Sequence, residues 1–178
     1  MPADTSPDPI TQAKEYQEYL LAALGPDDPA EAQASTPTAL RQLFAEAAAA
    51  DLATPPEAGE WSGLECAAHL LGAEIVYAGR YRWILAHDEP PLIGYDQDLW
   101  VGRLPQDRQD PAAMLDLFEQ LRASNLRLWN GSTEADRARA GVHAERGPES
   151  FDLSFRLIAG HDRVHLAQAH RALQAVRG

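Results

Sequence analysis

The apolar residues of this chain recur mostly at intervals of three and four, which is the spacing of one face of an α-helix. The first such stripe covers residues 10–24 and is followed by Gly25-Pro26, a pair typical of helix termination. We therefore predict a first helix over this stripe. The preceding residues 1–8, rich in Pro, Asp, Ser and Thr, are expected to be disordered ahead of a single domain over 9–178.

A second helix is expected to begin at Pro37. Thr36 has the side chain of an N-cap residue, and proline is favoured at the first helical position because its missing N–H would have no partner there. The apolar stripe that follows predicts a helix ending before Pro55-Pro56.

The third helix has the clearest start in the sequence. Ser62-Gly63-Leu64-Glu65 matches the capping box, in which the serine and glutamate side chains each bond a backbone amide of the helix N-terminus. The apolar pattern beyond it predicts a helix over 63–86.

Two further helices follow a long connection over residues 87–110, which is rich in Pro and Gly. We predict a helix from Pro111 to Gly131 and a last one from Ser150 to Val176. No segment combines alternating polarity with the β-branched residues of strands, so no strand is expected. The pattern favours an all-α, up-and-down-type four-helix bundle with an extra short helix and one or two long crossover loops.

Composition limits the classes of function. The single cysteine, Cys66, excludes an intrachain disulfide and a cysteine-rich metal site, so histidine must carry any metal chemistry. Acidic residues outnumber basic ones 27 to 15, and the net charge of −12 argues against a nucleic-acid partner. We interpret Arg80, Arg82 and the arginines between 122 and 139 as solvated helix faces. Without a leader or a long apolar run, the sequence predicts a cytoplasmic protein with no membrane partner.

His161 and His165 lie four residues apart on the predicted last helix, so both imidazoles project from one helical face. Leu157, Ile158 and Ala172 share that face and make it the buried one. Buried imidazole nitrogens need partners, and one metal ion satisfies both rings. The pair alone is a weak signal, because this spacing also arises by chance on solvated faces.

His69 is the best third ligand, because it lies among apolar neighbours near the start of a separate predicted helix. Three imidazoles leave a coordination position for water, as in catalytic metal sites. The alternative is a hydrogen-bonded core histidine. His87 and His143 lie in or beside predicted loops, and His170 points away from the pair, so none of these three is expected to bind.

Other polar residues are weaker candidates for the site. Residues of the long connection could line a pocket mouth or serve only the structure: Tyr95, Asp96, Asp98 and Trp100. Gln168 and Asp162 could orient the histidines from behind. Asp162 follows His161 directly and faces about 100° away from it, so exposure to solvent is an equal alternative.

Three of these segments together resemble the DinB-like superfamily. They are Glu60-Trp61-Ser62 leading into Ala68-His69-Leu70, the loop Gly94-Tyr95-Asp96-Gln97-Asp98, and Gly160-His161 through His165-Leu166-Ala167-Gln168. The likeness spans roughly residues 12–176. It implies a four-helix bundle whose ligands to a nickel or zinc ion would be His69, His161 and His165, with iron, cobalt or manganese as other divalent candidates.

The resemblance implies two classes of function. The first is a metal-dependent enzyme acting on a small molecule, either a hydrolase that activates water or an S-transferase that activates a low-molecular-weight thiol. A transferase would need a groove for the thiol, with an arginine such as Arg80 or Arg163. The second is a non-catalytic, stress-associated module that binds a metal or small molecule. This alternative is supported by the lack of a carboxylate at a spacing that would mark a general base. A homodimer is expected in either class.

Overall fold

A computed structural model describes residues 6–104 and 110–178 of the chain. Within these ranges the chain forms eight helices and three short strands. The helices are α1 (Ala13–Leu24), α2 (Pro29–Ala45), α3 (Ala49–Ala53), α4 (Gly63–Ala86), α5 (Gln97–Arg103), α6 (Pro111–Gly131), α7 (Glu134–Ala138) and α8 (Phe151–Arg177). The strands are β1 (Pro91–Leu92), β2 (Ala140–His143) and β3 (Gly147–Ser150).

The four long helices α2, α4, α6 and α8 form the predicted four-helix bundle. α2 and α4 each pack against both α6 and α8, while α2 lies diagonally opposite α4 and α6 opposite α8. α4 runs antiparallel to α8, since His69 meets His161 and Tyr81 meets Phe151. The prediction of a four-helix bundle is therefore confirmed. Helices α2 and α4 follow each other among the long helices but lie diagonally opposite, and the same holds for α6 and α8.

The bundle contains one long crossover. α2 runs parallel to α8, with Gln33 bonded to Phe155 and Thr36 to Asp162, and antiparallel to α6. In chain order the directions are therefore up, down, down, up. α4 and α6 therefore run parallel, and the directions stop alternating between these two helices.

Four predicted helix boundaries are confirmed, and each has a local cause. Gly25 follows the end of α1 with φ of +64°, in the left-handed region that glycine adopts without strain. Ser62 and Glu65 make both bonds of the capping box at the start of α4. Asp110 and Ser150 accept backbone amide bonds at the starts of α6 and α8.

The first helix begins at Ala13 rather than Ile10, because Asp8 holds the intervening residues in a turn. The Asp8 carboxylate accepts bonds from the amides of Ile10 and Thr11 at 3.0 and 2.6 Å. Of the segment predicted to be disordered, residues 1–5 lie outside the described residues, whereas Asp8 belongs to this turn.

The predicted start of the second helix at Thr36-Pro37 is wrong. α2 begins at Pro29, where the Asp28 carboxylate accepts bonds from the amides of Ala30 and Glu31. It ends at Ala45, and the short α3 follows, so the predicted single helix up to the paired prolines is also wrong.

Pro37 therefore lies inside α2, where its missing N–H leaves the carbonyl of Gln33 without its usual helical donor. Arg122 of α6 supplies the replacement, because its Nη1 donates to the Gln33 oxygen at 2.9 Å. A partner from a distant part of the chain thus makes the internal proline tolerable.

The prediction that no strand forms is wrong. β2 and β3 form an antiparallel hairpin, and β1 pairs in parallel with β2, Pro91 beside Val142. Strands of two to four residues are too short to show an alternating pattern, which is why periodicity missed them. The hairpin brings His143 and Arg146 beside the C-terminal half of α4 and leads directly into α8.

The aromatic part of the core lies near the C-terminal end of α4. Trp129 stacks on Phe155 with ring centroids 4.1 Å apart, and Tyr81 and Phe151 complete the cluster. His69 lies toward the opposite end of the bundle, on the second turn of α4. Among the helices of the described ranges, none has both the length and the apolar character required to cross a lipid bilayer.

Candidate metal centre

Three histidines from two helices converge inside the bundle. His69 of α4 and His161 and His165 of α8 are 3%, 6% and 6% exposed. The Nε2 atoms of His69 and His161 lie 2.8 Å apart, and one ring nitrogen from each histidine falls within 4.8 Å of the others. The structure therefore brings together the three residues that the sequence predicted as ligands.

Local sequence and helix pairing together place these rings. The capping box fixes the start of α4 and thereby the face on which His69 lies. The spacing of four aligns His161 and His165 on α8, and their predicted face is buried, with Leu157 at 1% and Ala172 at 4% exposure. Antiparallel packing of the two helices then brings the two faces together.

Burial favours the neutral form of His69 and His161. Loss of solvent lowers the pKa of His69 well below its usual value, and the neighbouring His165 lowers it further. Burial, His165 and His69 likewise depress the pKa of His161, with a smaller effect from Arg122. A neutral imidazole keeps a lone pair on one nitrogen, which is the form that binds a metal ion.

The donor set fits a divalent ion. His161 Nδ1 is buried and has no hydrogen-bond partner among the described residues, and the Nε2 contact with His69 lets only one of the two nitrogens act as donor. Such a cluster is costly when formed by hydrogen bonds alone, whereas an ion accepts several nitrogen lone pairs at once. Three imidazoles suit zinc, nickel, cobalt or iron.

Gln168 and Trp61 surround the histidines. Gln168 Oε1 lies 2.8 Å from His165 Nδ1, which places the proton on Nδ1 and the lone pair on Nε2. The Trp61 ring packs on His69 and His165, with centroids 4.9 and 5.9 Å away. Trp61 directly precedes the capping box, and nothing in that position predicted this contact with the histidines.

Asp162 faces away from the cluster but not toward solvent. It is 2% exposed, accepts a bond from Thr36 Oγ1 at 2.9 Å and pairs with Arg122. The alternative of a solvent-exposed side chain is therefore wrong, and Asp162 bonds to α2 and α6. Arg122 is 1% exposed, so its interpretation as a solvated residue is also wrong.

An apolar cleft opens beside His69. Tyr95 and Trp100 of the long connection line it together with Gly72 of α4. A Cβ at Gly72 would lie 3.2 Å from the Trp100 ring, so this glycine lets the indole approach the helix closely. Two of the four loop residues predicted for a pocket thus lie beside the histidine site.

A second, polar cleft reaches His161. Tyr95 lines this cleft too, so it stands between the two, and Asp96 and Asp98 line the polar one. The Asp96 carboxylate caps α5 through the amides of Asp98 and Leu99. Burial and the nearby Asp96 raise the pKa of Asp98 above its usual value. All four predicted loop residues therefore line clefts that reach a histidine of the cluster.

The polar cleft also contains residues that sequence reasoning placed elsewhere. Arg80 is 2% exposed and lines the cleft, so its interpretation as a solvated residue is wrong. His143 is buried in the hairpin and contacts Arg80. Only the packing of the hairpin against α4 reveals these positions. His87 and His170 are exposed and lie outside the cluster.

A family model matches this chain over residues 33–169, a stretch that contains all three histidines, and it describes the DinB superfamily. A Bacillus licheniformis protein named as a candidate metal-dependent hydrolase is 28% identical over 138 residues, which cover 76% of this chain and 78% of that protein.

The fold also resembles a solved structure. YfiT from Bacillus subtilis, described as a probable metal-dependent hydrolase with an unusual four-helix bundle topology, matches with a TM-score of 0.74 and 18% identity. The match covers 98% of this chain and 92% of YfiT. At this identity the likeness shows that the two chains share a fold.

Proposed function

Because the chain belongs to the DinB superfamily, we propose that it is a divalent-metal-dependent hydrolase in which His69, His161 and His165 hold the ion. The observation that carries the proposal is the meeting of three buried imidazoles with ring nitrogens within 4.8 Å of one another. The name of the Bacillus licheniformis relative supports the same class of activity.

Each part of the site has a role in this proposal. A bound ion would supply Lewis acidity and lower the pKa of a water molecule toward neutrality. Gln168 fixes the orientation of the His165 ring through Nδ1, and Trp61 shields two of the imidazoles from solvent. Three protein ligands, rather than four, leave a position for water or substrate.

The two clefts define how a substrate reaches the centre. His69 lines the apolar cleft and His161 the polar one, with Tyr95 between them. A small molecule with one apolar and one polar part would place its reacting bond beside the ion. We propose zinc or nickel as the ion, because the donors are three nitrogens without a thiolate.

The first experiment is elemental analysis of tag-free protein after loading with zinc or nickel and removal of excess ion. We expect about one ion per chain in the wild type, and at least a tenfold loss of affinity in His69→Ala and His161→Ala, because each removes one of three ligands. His170→Ala is the matched control, since this exposed histidine lies on the same helix outside the cluster. Equal metal content in all four proteins would refute the site.

Activity is then compared between chelated and reloaded protein on a panel of esters and amides, with and without an added low-molecular-weight thiol. Metal-dependent turnover with water alone supports the hydrolase. Turnover that requires the thiol would instead assign the same ion to thiolate activation, and would overturn the hydrolase proposal while leaving the metal site intact.

A further inference from the structure

The end of the polar cleft away from the histidines contains a buried arginine without an acidic partner. Arg80 is 2% exposed and donates from Nη2 to the carbonyl of Ile93 at 2.5 Å and to His143 Nε2 at 3.2 Å. Its Nε is buried and has no hydrogen-bond partner among the described residues. No carboxylate of the described ranges forms an ion pair with it.

Two neighbouring arginines show how this chain normally treats a buried guanidinium. Arg122 is paired with Glu74 and Asp162, and Arg146 is paired with Glu149. Burying a permanent positive charge without a counter-charge is costly. Arg80 is thus the exception among the three, and an anion arriving from solvent would remove the cost.

The groups around Arg80 do not supply that anion. His143 accepts from Arg80 at Nε2, and burial together with Arg146 and Arg80 lowers its pKa to about 4, so it is neutral. Glu149 forms an ion pair with Arg146 and accepts a hydrogen bond from Ser154 Oγ at 2.7 Å. Glu145 lies 3.7 Å from His143 Nδ1, on the far side of that ring from Arg80.

Arg80 and the histidine cluster share one cleft. One face of α4 carries His69, Ala73, Tyr77 and Arg80. The Cα atoms of His69 and Arg80 are about 16 Å apart, because eleven residues of helix separate them at a rise of 1.5 Å per residue. Ala73, Tyr77 and Arg80 line the polar cleft with His161.

We propose that the polar cleft binds a small molecule carrying a carboxylate, which Arg80 holds while the rest of the molecule extends toward the three histidines. Nη2 already donates to Ile93 and His143, so Nε and Nη1 are the guanidinium donors left for the oxygens of a carboxylate. This inference rests on the proposed function for its reacting end, whereas the anion site stands on Arg80 alone.

The charge of the cleft favours a carboxylate over a phosphate. Four acidic residues line the cleft or its mouth: Asp8, Asp96, Asp98 and Glu145. One unpaired guanidinium neutralises one negative charge, and Arg146 is already paired. A dianion would therefore keep an uncompensated charge beside these carboxylates, whereas a monoanion would not.

The test uses chelated protein, so that a carboxylate cannot bind an ion instead. Benzoate is titrated while the arginine Nε–H signals are followed by NMR, with benzamide as the neutral probe and inorganic phosphate as the dianion. We expect a saturable shift of the Arg80 Nε–H signal with benzoate, and affinity at least tenfold weaker for benzamide and phosphate. Tighter binding of phosphate, or equal binding of benzamide, would overturn the proposal.

Three variants complete the test. Arg80→Gln should lower benzoate affinity at least tenfold, whereas Arg82→Gln should leave it unchanged, because Arg82 bonds on another side of α4 to Ser124 and Asn125. Arg80→Lys keeps the charge but lacks the guanidinium donors, so a partial loss of benzoate affinity is expected. This variant replaces Arg80→Gln in the test if the glutamine variant does not fold. Unchanged affinity in the folded Arg80 variants would refute the assignment.

Failure of this inference is distinguishable from failure of the metal site. Both Arg80 variants should retain the metal content of the wild type, since Arg80 forms no hydrogen bond or ion pair with His69, His161 or His165 among the described residues. Loss of benzoate binding with intact metal content supports the separate anion site. Metal loss in Arg80→Lys would overturn it, because Arg80 would then act through the histidine cluster.

Discussion

Gly160 sets how closely α1 approaches α8. A Cβ atom built on this residue would lie 1.9 Å from the carbonyl oxygen of Leu20, far inside van der Waals contact. The obstacle is backbone, so no side-chain rotation could relieve it. Gly160 directly precedes His161, and α1 also contributes Tyr16 and Leu20 to the polar cleft. This single residue therefore couples helix packing to the shape of the cleft.

We expect Gly160→Ala to lower the free energy of unfolding by about 1–3 kcal/mol, because α1 must move away from α8. Urea denaturation monitored by circular dichroism measures the change. Gly131→Ala is the control, since a Cβ there meets no atom within 4 Å and the residue ends a helix. A Gly160→Ala protein as stable as Gly131→Ala would contradict the close approach.

At the scale of secondary structure, the start of α2 shows how two local signals can compete. Both Asp28-Pro29 and Thr36-Pro37 have the form of an N-cap followed by proline. The structure uses the first, and the Thr36 hydroxyl donates instead to Asp162 of α8. A tertiary contact thus gives Thr36 a role other than that of an N-cap.

If α2 begins at Pro29, Asp28→Ala should lower the free energy of unfolding by about 1 kcal/mol, because the amides of Ala30 and Glu31 lose their acceptor. Thermal and urea denaturation would measure the loss. Asp28→Asn is the matched variant, since asparagine also caps helices, and should retain most of the stability. Equal losses in the two variants would contradict the assigned cap.

At the scale of the whole molecule, Arg122 joins all four helices of the bundle. From α6 it donates to the carbonyl of Gln33 on α2 and pairs with Glu74 of α4 and Asp162 of α8. Asn125 adds a bond to Glu74 at 2.8 Å. These bonds connect α8 to α2, α4 and α6 through Asp162, the residue that follows His161.

Arg122→Met should lower the free energy of unfolding by about 3–5 kcal/mol, since it leaves two buried carboxylates without a counter-charge. Arg41→Met provides the control, because Arg41 also joins α2 to α6 but pairs with Asp116 and Glu119 at the surface. Its loss should be about 0–1 kcal/mol. Denaturant midpoints compare the two, and similar losses would contradict a dominant role of the buried network.

Features that depend on near neighbours along the chain could be predicted from the amino-acid sequence. The starts of α4, α6 and α8 follow from capping side chains within three residues. The shared, buried face of His161 and His165 follows from helical periodicity. The segments that resemble the DinB-like superfamily also lay in the sequence, and the family match supports them.

Features that depend on partners far along the chain could not be predicted in this way, because helix packing brings those partners together. His69 and His161 are separated by 92 residues, and their meeting required the antiparallel pairing of α4 with α8. The burial of Arg80 and Arg122 was invisible in the sequence, because a charged residue is buried only when distant groups enclose it. Helical periodicity identifies the inward face of each helix, while packing decides which side chains meet there.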